Sequence, residues 1–139
     1  MVAPDGGRVL LVDHRRLDRW LPPGGHVEPE DAEIRDAARR EVIEETSAVL
    51  EPDLPAERPP QLISLDVHGT PARGPEGTPE PYHLHHDPVF LFRATAERLS
   101  VSEESHAVVW CAPMEFDRYH VAGNVRRAWA RARVRELFS

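Results

Sequence analysis

The sequence predicts an α+β fold in layers, a single domain over residues 1–139. Two observations predict it. Short apolar runs punctuated by glycine and proline read as strands. One helical pattern follows the first hairpin, and a second lies near the end of the chain. At 139 residues the chain is long enough for a real core.

The elements follow in order. Met1-Val2-Ala3 is a short start, and Pro4-Asp5-Gly6-Gly7 is a turn. Arg8–Val12 is a strand. Asp13–Trp20 is a charged connection that ends in the loop Leu21-Pro22-Pro23-Gly24-Gly25. Asp31 is the expected N-cap of a helix from Ala32 to Thr46, with Ile34, Ala38 and Val42 as its inner stripe. Ala48–Leu50 starts a short strand. Pro52, Pro55, Pro59 and Pro60 then forbid regular structure. Leu62–Val67 is a strand, and Gly69–Pro81 is a long loop of the kind that is functional or mobile. Val89–Thr95 is a largely buried strand, and Ala107–Cys111 is another. Asn124 caps a last helix whose inner face is Val125, Ala128, Trp129 and Ala132.

Composition excludes several chemistries. All 17 basic residues are arginine, so no P-loop lysine, Schiff-base lysine or Ser-Lys dyad exists. Cys111 stands alone, which rules out an internal disulfide and a cysteine-based zinc site. No apolar run approaches the ~20 residues of a membrane span, and the start of the chain lacks a secretion signal, so the cytoplasm is the expected compartment. Net charge is −7. Residues 28 to 57 hold eleven acids and three arginines, a local balance of −8 that covers the whole excess. A nucleic acid duplex is repelled there, and a phosphate-bearing small molecule binds only through bridging cations. Arg126, Arg127, Arg131, Arg133 and Arg135 make the last helix basic, either as a solvated face or as an anion-steering one.

The densest chemistry lies between residues 23 and 46. Pro23-Gly24-Gly25-His26-Val27-Glu28 is followed by Arg40-Glu41-Val42-Ile43-Glu44-Glu45-Thr46. Glu41, Glu44 and Glu45 recur at spacings of three and four, so on a helix they fan over roughly 100° of one face. Like charges so placed repel. A divalent cation that prefers oxygen ligands, such as magnesium, manganese or calcium, explains the cluster best.

This segment resembles the signature box of the Nudix hydrolases. That pattern reads Gly, five residues, Glu, seven residues, Arg-Glu, an apolar residue, any residue, Glu-Glu, any residue, Gly, an apolar residue. Three departures stand out. Asp31 occupies the position of the first Glu, one extra residue precedes Arg40-Glu41, and Ser47 replaces the Gly. The loop is expected to absorb the extra residue, because a slipped helix would rotate the glutamates off their face. The loop form, with His83-Leu84-His85-His86-Asp87, resembles a bacterial branch of the family with poorly defined substrates. The resemblance implies an α/β/α sandwich around a mixed sheet. It also implies a longer first strand, which would leave one sheet edge of this chain short.

The resemblance further implies a pyrophosphohydrolase that uses Mg2+ or Mn2+. It would split the diphosphate bridge of a nucleoside diphosphate linked to another group, by attack of water on phosphorus. Gly25, through its carbonyl, and Glu41, Glu44 and Glu45 are the expected metal ligands. Glu41 is also the general-base candidate, and Arg40 orients a glutamate. A carboxylate in a late loop is common in the family, which draws in Glu103 and Glu104, against the plainer reading of exposed loop acids. His26 lines the entrance, and Trp20 either stacks on a base or plugs the sheet end. On a strand, His83 and His85 share a face and His86 points the other way. That supplies too few ligands for zinc, so contact of this stretch, His86 included, with base or phosphate is expected, or a plain sheet-surface role. The alternative to an enzyme is a Nudix-like nucleotide-binding or regulatory module, supported only by the three departures. Isomerase chemistry on a diphosphate is a third reading, for which Cys111 on a strand is a poor candidate. The leaving group is not legible, and a homodimer is an open possibility.

Overall fold

A computed structural model describes residues 1–52, 62–72 and 81–135. Most of the proline-rich connection and of the loop Gly69–Pro81 lies outside the described residues. The elements run β1 (Val9–His14), β2 (Arg19–Leu21), α1 (Ile34–Thr46), β3 (Leu62–Thr70), β4 (His83–Phe90), β5 (Ser105–Cys111), a 3-10 turn (Pro113–Glu115) and α2 (Gly123–Val134).

β1 is central to a three-stranded antiparallel sheet ordered β2-β1-β5. Four consecutive β1 residues, Val9 to Val12, are buried, as expected of a strand covered on both faces. Val9 and Leu11 join Cys111, Phe116, Val121, Ala128 and Ala132 in one core, which places α2 on that side. Leu10 and Val12 alternate to the other face. A second core gathers Val42 of α1 with Ala48, Leu50 and Phe92. The result is the predicted α/β/α sandwich. Burying a side chain such as Val42 contributes about 1.5–3 kcal/mol.

β3 and β4 form an antiparallel hairpin with a register shift between Leu62 and Ser64. The short start of the chain joins the sheets. Val2 bridges Val9 in antiparallel fashion and Arg93 in parallel fashion, which makes the pairing mixed. Val2 donates its N–H to Phe92 at 2.8 Å and accepts from Ala94 at 3.0 Å.

Several sequence expectations need correction. The charged connection before the glycine loop is a hairpin, with β1 running on to His14 and pairing with Arg19–Leu21. Strand Leu62–Val67 continues to Thr70, into the expected loop. Val89–Thr95 is not one strand: β4 begins at His83 and ends at Phe90, while Arg93 and Ala94 make separate bridges to Val2 and Leu50. α1 begins at Ile34, capped by Glu33. Asp36 in its first turn accepts the Glu33 N–H at 3.1 Å. Asp31 is not the cap because Arg40 has recruited its carboxylate. Ile34, the first residue of α1, is exposed, and Ala37 and Val42 are the buried apolar residues. α2 is capped at Ala122 rather than Asn124, and its inner face is the one predicted.

Candidate active site

α1 is unbroken across Arg40–Glu45, so the loop absorbs the extra residue. Its exit uses the left-handed conformation, with Ser47 at φ 53° and its N–H donated to the Ile43 carbonyl at 2.8 Å. Ser47 therefore takes the backbone geometry for which glycine is suited.

Arg40 organises the glycine loop against the helix. Its Nε and Nη2 donate to Asp31 at 3.1 and 2.9 Å, and Nη2 also donates to the His26 carbonyl at 3.0 Å. Its Nη1 donates to Glu41 Oε1 at 3.0 Å and to Glu44 Oε2 at 3.1 Å. One guanidinium thus holds two of the three candidate glutamates and both ends of the entrance loop. Hydrogen bonds from the Arg40 guanidinium, then from the Glu28 N–H, keep the Asp31 carboxyl below the usual carboxylate range. Asp31 itself accepts from the Glu28 N–H at 2.8 Å.

Glu45 is the buried member of the set, 7% exposed. Burial, then the charge of Glu41, pushes its carboxyl up to about 7. A backbone hydrogen bond from Gly24 opposes this, and Glu104 and Glu44 add smaller upward pushes. Glu45 Oε2 is buried with no hydrogen-bond partner. A Cβ on Gly25 would collide with Glu41 Oε1, so glycine lets the loop backbone lie directly on that carboxylate.

Glu41, Glu104 and Glu44 thus all bear on the buried carboxylate of Glu45. Glu104 comes from the loop before β5, and its carbonyl accepts the Arg15 N–H at 3.0 Å. The other sequence candidates are dispersed. Trp20 packs edge-on to Tyr119, ring centroids 5.0 Å apart, against the α2-side core. His26 is exposed on the loop and lies edge-on to His85 at 6.3 Å. His86 is exposed and pairs with Val67, on the hairpin face opposite His83 and His85. His85, not His86, is the histidine beside the entrance loop. Cys111 is fully buried and burial raises its thiol pKa, so it offers no nucleophile.

Sequence reasoning missed two contributions. The Asp31–Arg40 clamp was hidden because Asp31 also has the chemistry of an N-cap. His68 lies one residue beyond the expected strand Leu62–Val67, in what the sequence alone shows as loop. The alternation Asp66-x-His68 matches His83-x-His85-x-Asp87 and was the available signal.

The family described as NUDIX domain matches residues 1–132. The chain belongs to the NUDIX family. As a member of it, the protein is a hydrolase. Among curated proteins nothing matches it. Solved structures support the fold. A NUDIX-family hydrolase from Clostridium perfringens shares 21% identity at a TM-score of 0.65, over 96% of this chain and 92% of that one. A C. elegans Ap4A hydrolase in a binary complex shares 18% identity at a TM-score of 0.58, over 90% of this chain and 82% of that one. Another structure of the C. elegans Ap4A hydrolase shares 17% identity at a TM-score of 0.57, over 95% of this chain and 89% of that one. Among the described residues, no helix is long and apolar enough to cross a membrane.

Proposed function

We propose that this NUDIX protein is a divalent-metal-dependent pyrophosphohydrolase. It splits the diphosphate bridge of a nucleoside diphosphate linked to another group, by attack of water on phosphorus. The observation that carries this reading is the buried, unpartnered Oε2 of Glu45 beside the Glu41 and Glu44 carboxylates. A buried acceptor without a partner is costly, and like charges around it add to the cost. A cation with a preference for oxygen ligands relieves both at once.

The donor set fits Mg2+ or Mn2+. Glu41, Glu44, Glu45 and the Gly25 carbonyl would hold it, with Glu104 close to Glu45. When bound, the cation polarises phosphoryl oxygens and offsets the negative charge of the substrate. The rest falls to the chain. Glu41, held by Arg40 Nη1, takes the proton of the attacking water. A new phosphorus–oxygen bond forms while the bridging bond breaks, and its electron pair leaves with the departing phosphate. Arg40 positions Glu41 and Glu44 by charge-assisted hydrogen bonds. The three departures from the family pattern are absorbed by the Arg40–Asp31 clamp, by the loop and by the left-handed Ser47. They therefore give no support to a non-catalytic binding module.

A screen of nucleoside diphosphate-linked compounds tests the reading, with phosphate release followed after a phosphatase step. Turnover is expected with Mg2+ or Mn2+ and none with chelator. Turnover unaffected by chelator overturns the metal assignment, and no turnover of any such compound overturns the reaction class.

A further inference from the structure

The β3–β4 hairpin carries a group of residues that the pyrophosphohydrolase reading does not use. His68 lies directly opposite His85 in the strand register, Asp66 opposite Asp87, and Thr70 opposite His83. Strand alternation puts all six on one face. One ring nitrogen each from His68 and His85 and a carboxylate oxygen of Asp87 lie within 4.8 Å of one another. His68 Nδ1 is 3.5 Å from Asp87 Oδ2. Ligands of a tetrahedral zinc with bonds of ~2.0–2.1 Å stand roughly 3.3 Å apart, so small side-chain rotations close the set.

We propose that this face is a second metal site, with His68, His85 and Asp87 as ligands, for a divalent transition metal of the zinc class. His83 is its positioning residue. The Pro81 carbonyl lies 2.9 Å from His83 Nδ1, and a carbonyl only accepts, so Nδ1 carries the proton. In the neutral ring His83 Nε2 is then an acceptor. It lies 2.9 Å from His85 Nε2, which must donate to it. The chain of two bonds fixes the His85 tautomer and leaves its Nδ1 lone pair for a metal. Metal-binding histidines are commonly oriented by such an outer partner.

Ligand chemistry separates this site from the glutamate cluster. Imidazole nitrogen selects zinc, nickel or copper over magnesium, whereas carboxylates and carbonyls suit magnesium and manganese. Three protein ligands leave a coordination position open. His26 of the entrance loop lies edge-on to His85, so the site adjoins the mouth of the candidate active site. Asp66 stands by, 3.9 Å from His68 Nδ1, and is held by Arg127 at 3.9 Å. The proposal does not depend on the pyrophosphohydrolase reading, because it is tested by binding.

The test uses the untagged full-length chain, stripped with chelator and titrated with Zn2+ in a large excess of Mg2+. Zinc is expected to bind one equivalent per chain, undisturbed by the magnesium. His68→Ala and His85→Ala should abolish that equivalent, and His83→Phe should weaken it by about 10–100-fold. Glu45→Gln should leave it intact. Co2+ in place of Zn2+ should give visible absorption bands that His85→Ala removes. Circular dichroism checks that each variant is folded, and the milder Asp87→Asn replaces any that is not. Zinc binding that survives His68→Ala, His85→Ala and Asp87→Asn, or that disappears in Glu45→Gln, overturns the proposal. So does the absence of a magnesium-resistant equivalent in the parent chain.

Discussion

Arg40 and Asp31 face each other fork to fork, with Nε 3.1 Å from Oδ1 and Nη2 2.9 Å from Oδ2. The pair ties the glycine loop to the helix that carries the glutamates. Lysine keeps the charge of arginine but cannot make this planar two-point contact while reaching Glu41 and Glu44. Arg40→Lys should therefore lower kcat by roughly tenfold to a hundredfold, because small misplacements of reacting groups cost that much. The helix should persist by circular dichroism. Steady-state kinetics on any substrate found in the screen checks it, and wild-type kcat in the variant contradicts the clamp's role.

Glu45 makes stability depend on pH in an unusual direction for a carboxylate. Its folded pKa of about 7 lies above the ordinary value of 4.5. Between these values the folded state binds more protons than the unfolded state, so stability falls as pH rises through that window. Without metal, the loss should be on the order of 2 kcal/mol between pH 4.5 and 7 and level off above. Mg2+ favours the ionised form and should remove the loss. Denaturant melts at several pH values decide it. Glu45→Gln should flatten the slope, and an equally steep slope in that variant would assign it to other groups.

Glu44→Gln and Glu45→Gln should lower turnover by orders of magnitude with the fold retained. The second variant should also gain stability without metal, since it removes a buried charge facing like charges. Rates near the parent value in both variants contradict their assignment as metal ligands.

Gly25→Ala sets a Cβ against the Glu41 carboxylate. Arg40 holds that carboxylate, so it cannot swing away without losing its 3.0 Å hydrogen bond. The variant should bind Mg2+ more weakly and turn over more slowly, while thermal melting changes little. Gly24→Ala is the control, because open space surrounds the corresponding Cβ.

Ser47→Gly removes a Cβ from a left-handed residue at φ 53°. Relief of that strain should raise stability by up to about 1 kcal/mol, against the extra freedom of glycine in the unfolded chain. The catalytic rate should barely move, as Ser47 lies beyond the glutamates. A clear loss of stability in a denaturant melt contradicts the strain argument.

What the sequence made legible was local and periodic. The three-and-four spacing of Glu41, Glu44 and Glu45 required an intact helix, and the helix is intact. The inner face of α2, from Val125 to Ala132, followed from its period. Contacts made across strands or through competing side chains were not legible. Asp31 had two compatible partners in sequence terms, a helix start and an arginine, and only packing decided between them. His68 belongs with His85 through the register of a hairpin whose connecting residues carry no readable pairing code. Ile34 fitted the apolar stripe but stands exposed at the first position of α1, which a periodic pattern does not distinguish from the positions after it.

The hairpin face that bears His68, His83 and His85 has a reverse side where Leu65, Val67 and Leu84 stand exposed. Polarity therefore alternates from Leu65 to His68 on β3 and from His83 to His85 on β4. A pairing error of one residue would turn His83 and His85, or His68, to the reverse face and bring Leu84, or Leu65 and Val67, to theirs. Such a chain would keep its hydrogen-bonded ladder and lose its chemistry, so backbone pairing alone could not reject it. The bulge between Leu62 and Ser64, and Tyr82 packed close over Gly69, act as the alignment marks that exclude the misthreaded form. Substituting Gly69 would disturb the second of them, and the side chains would then be in the wrong places without any having been mutated.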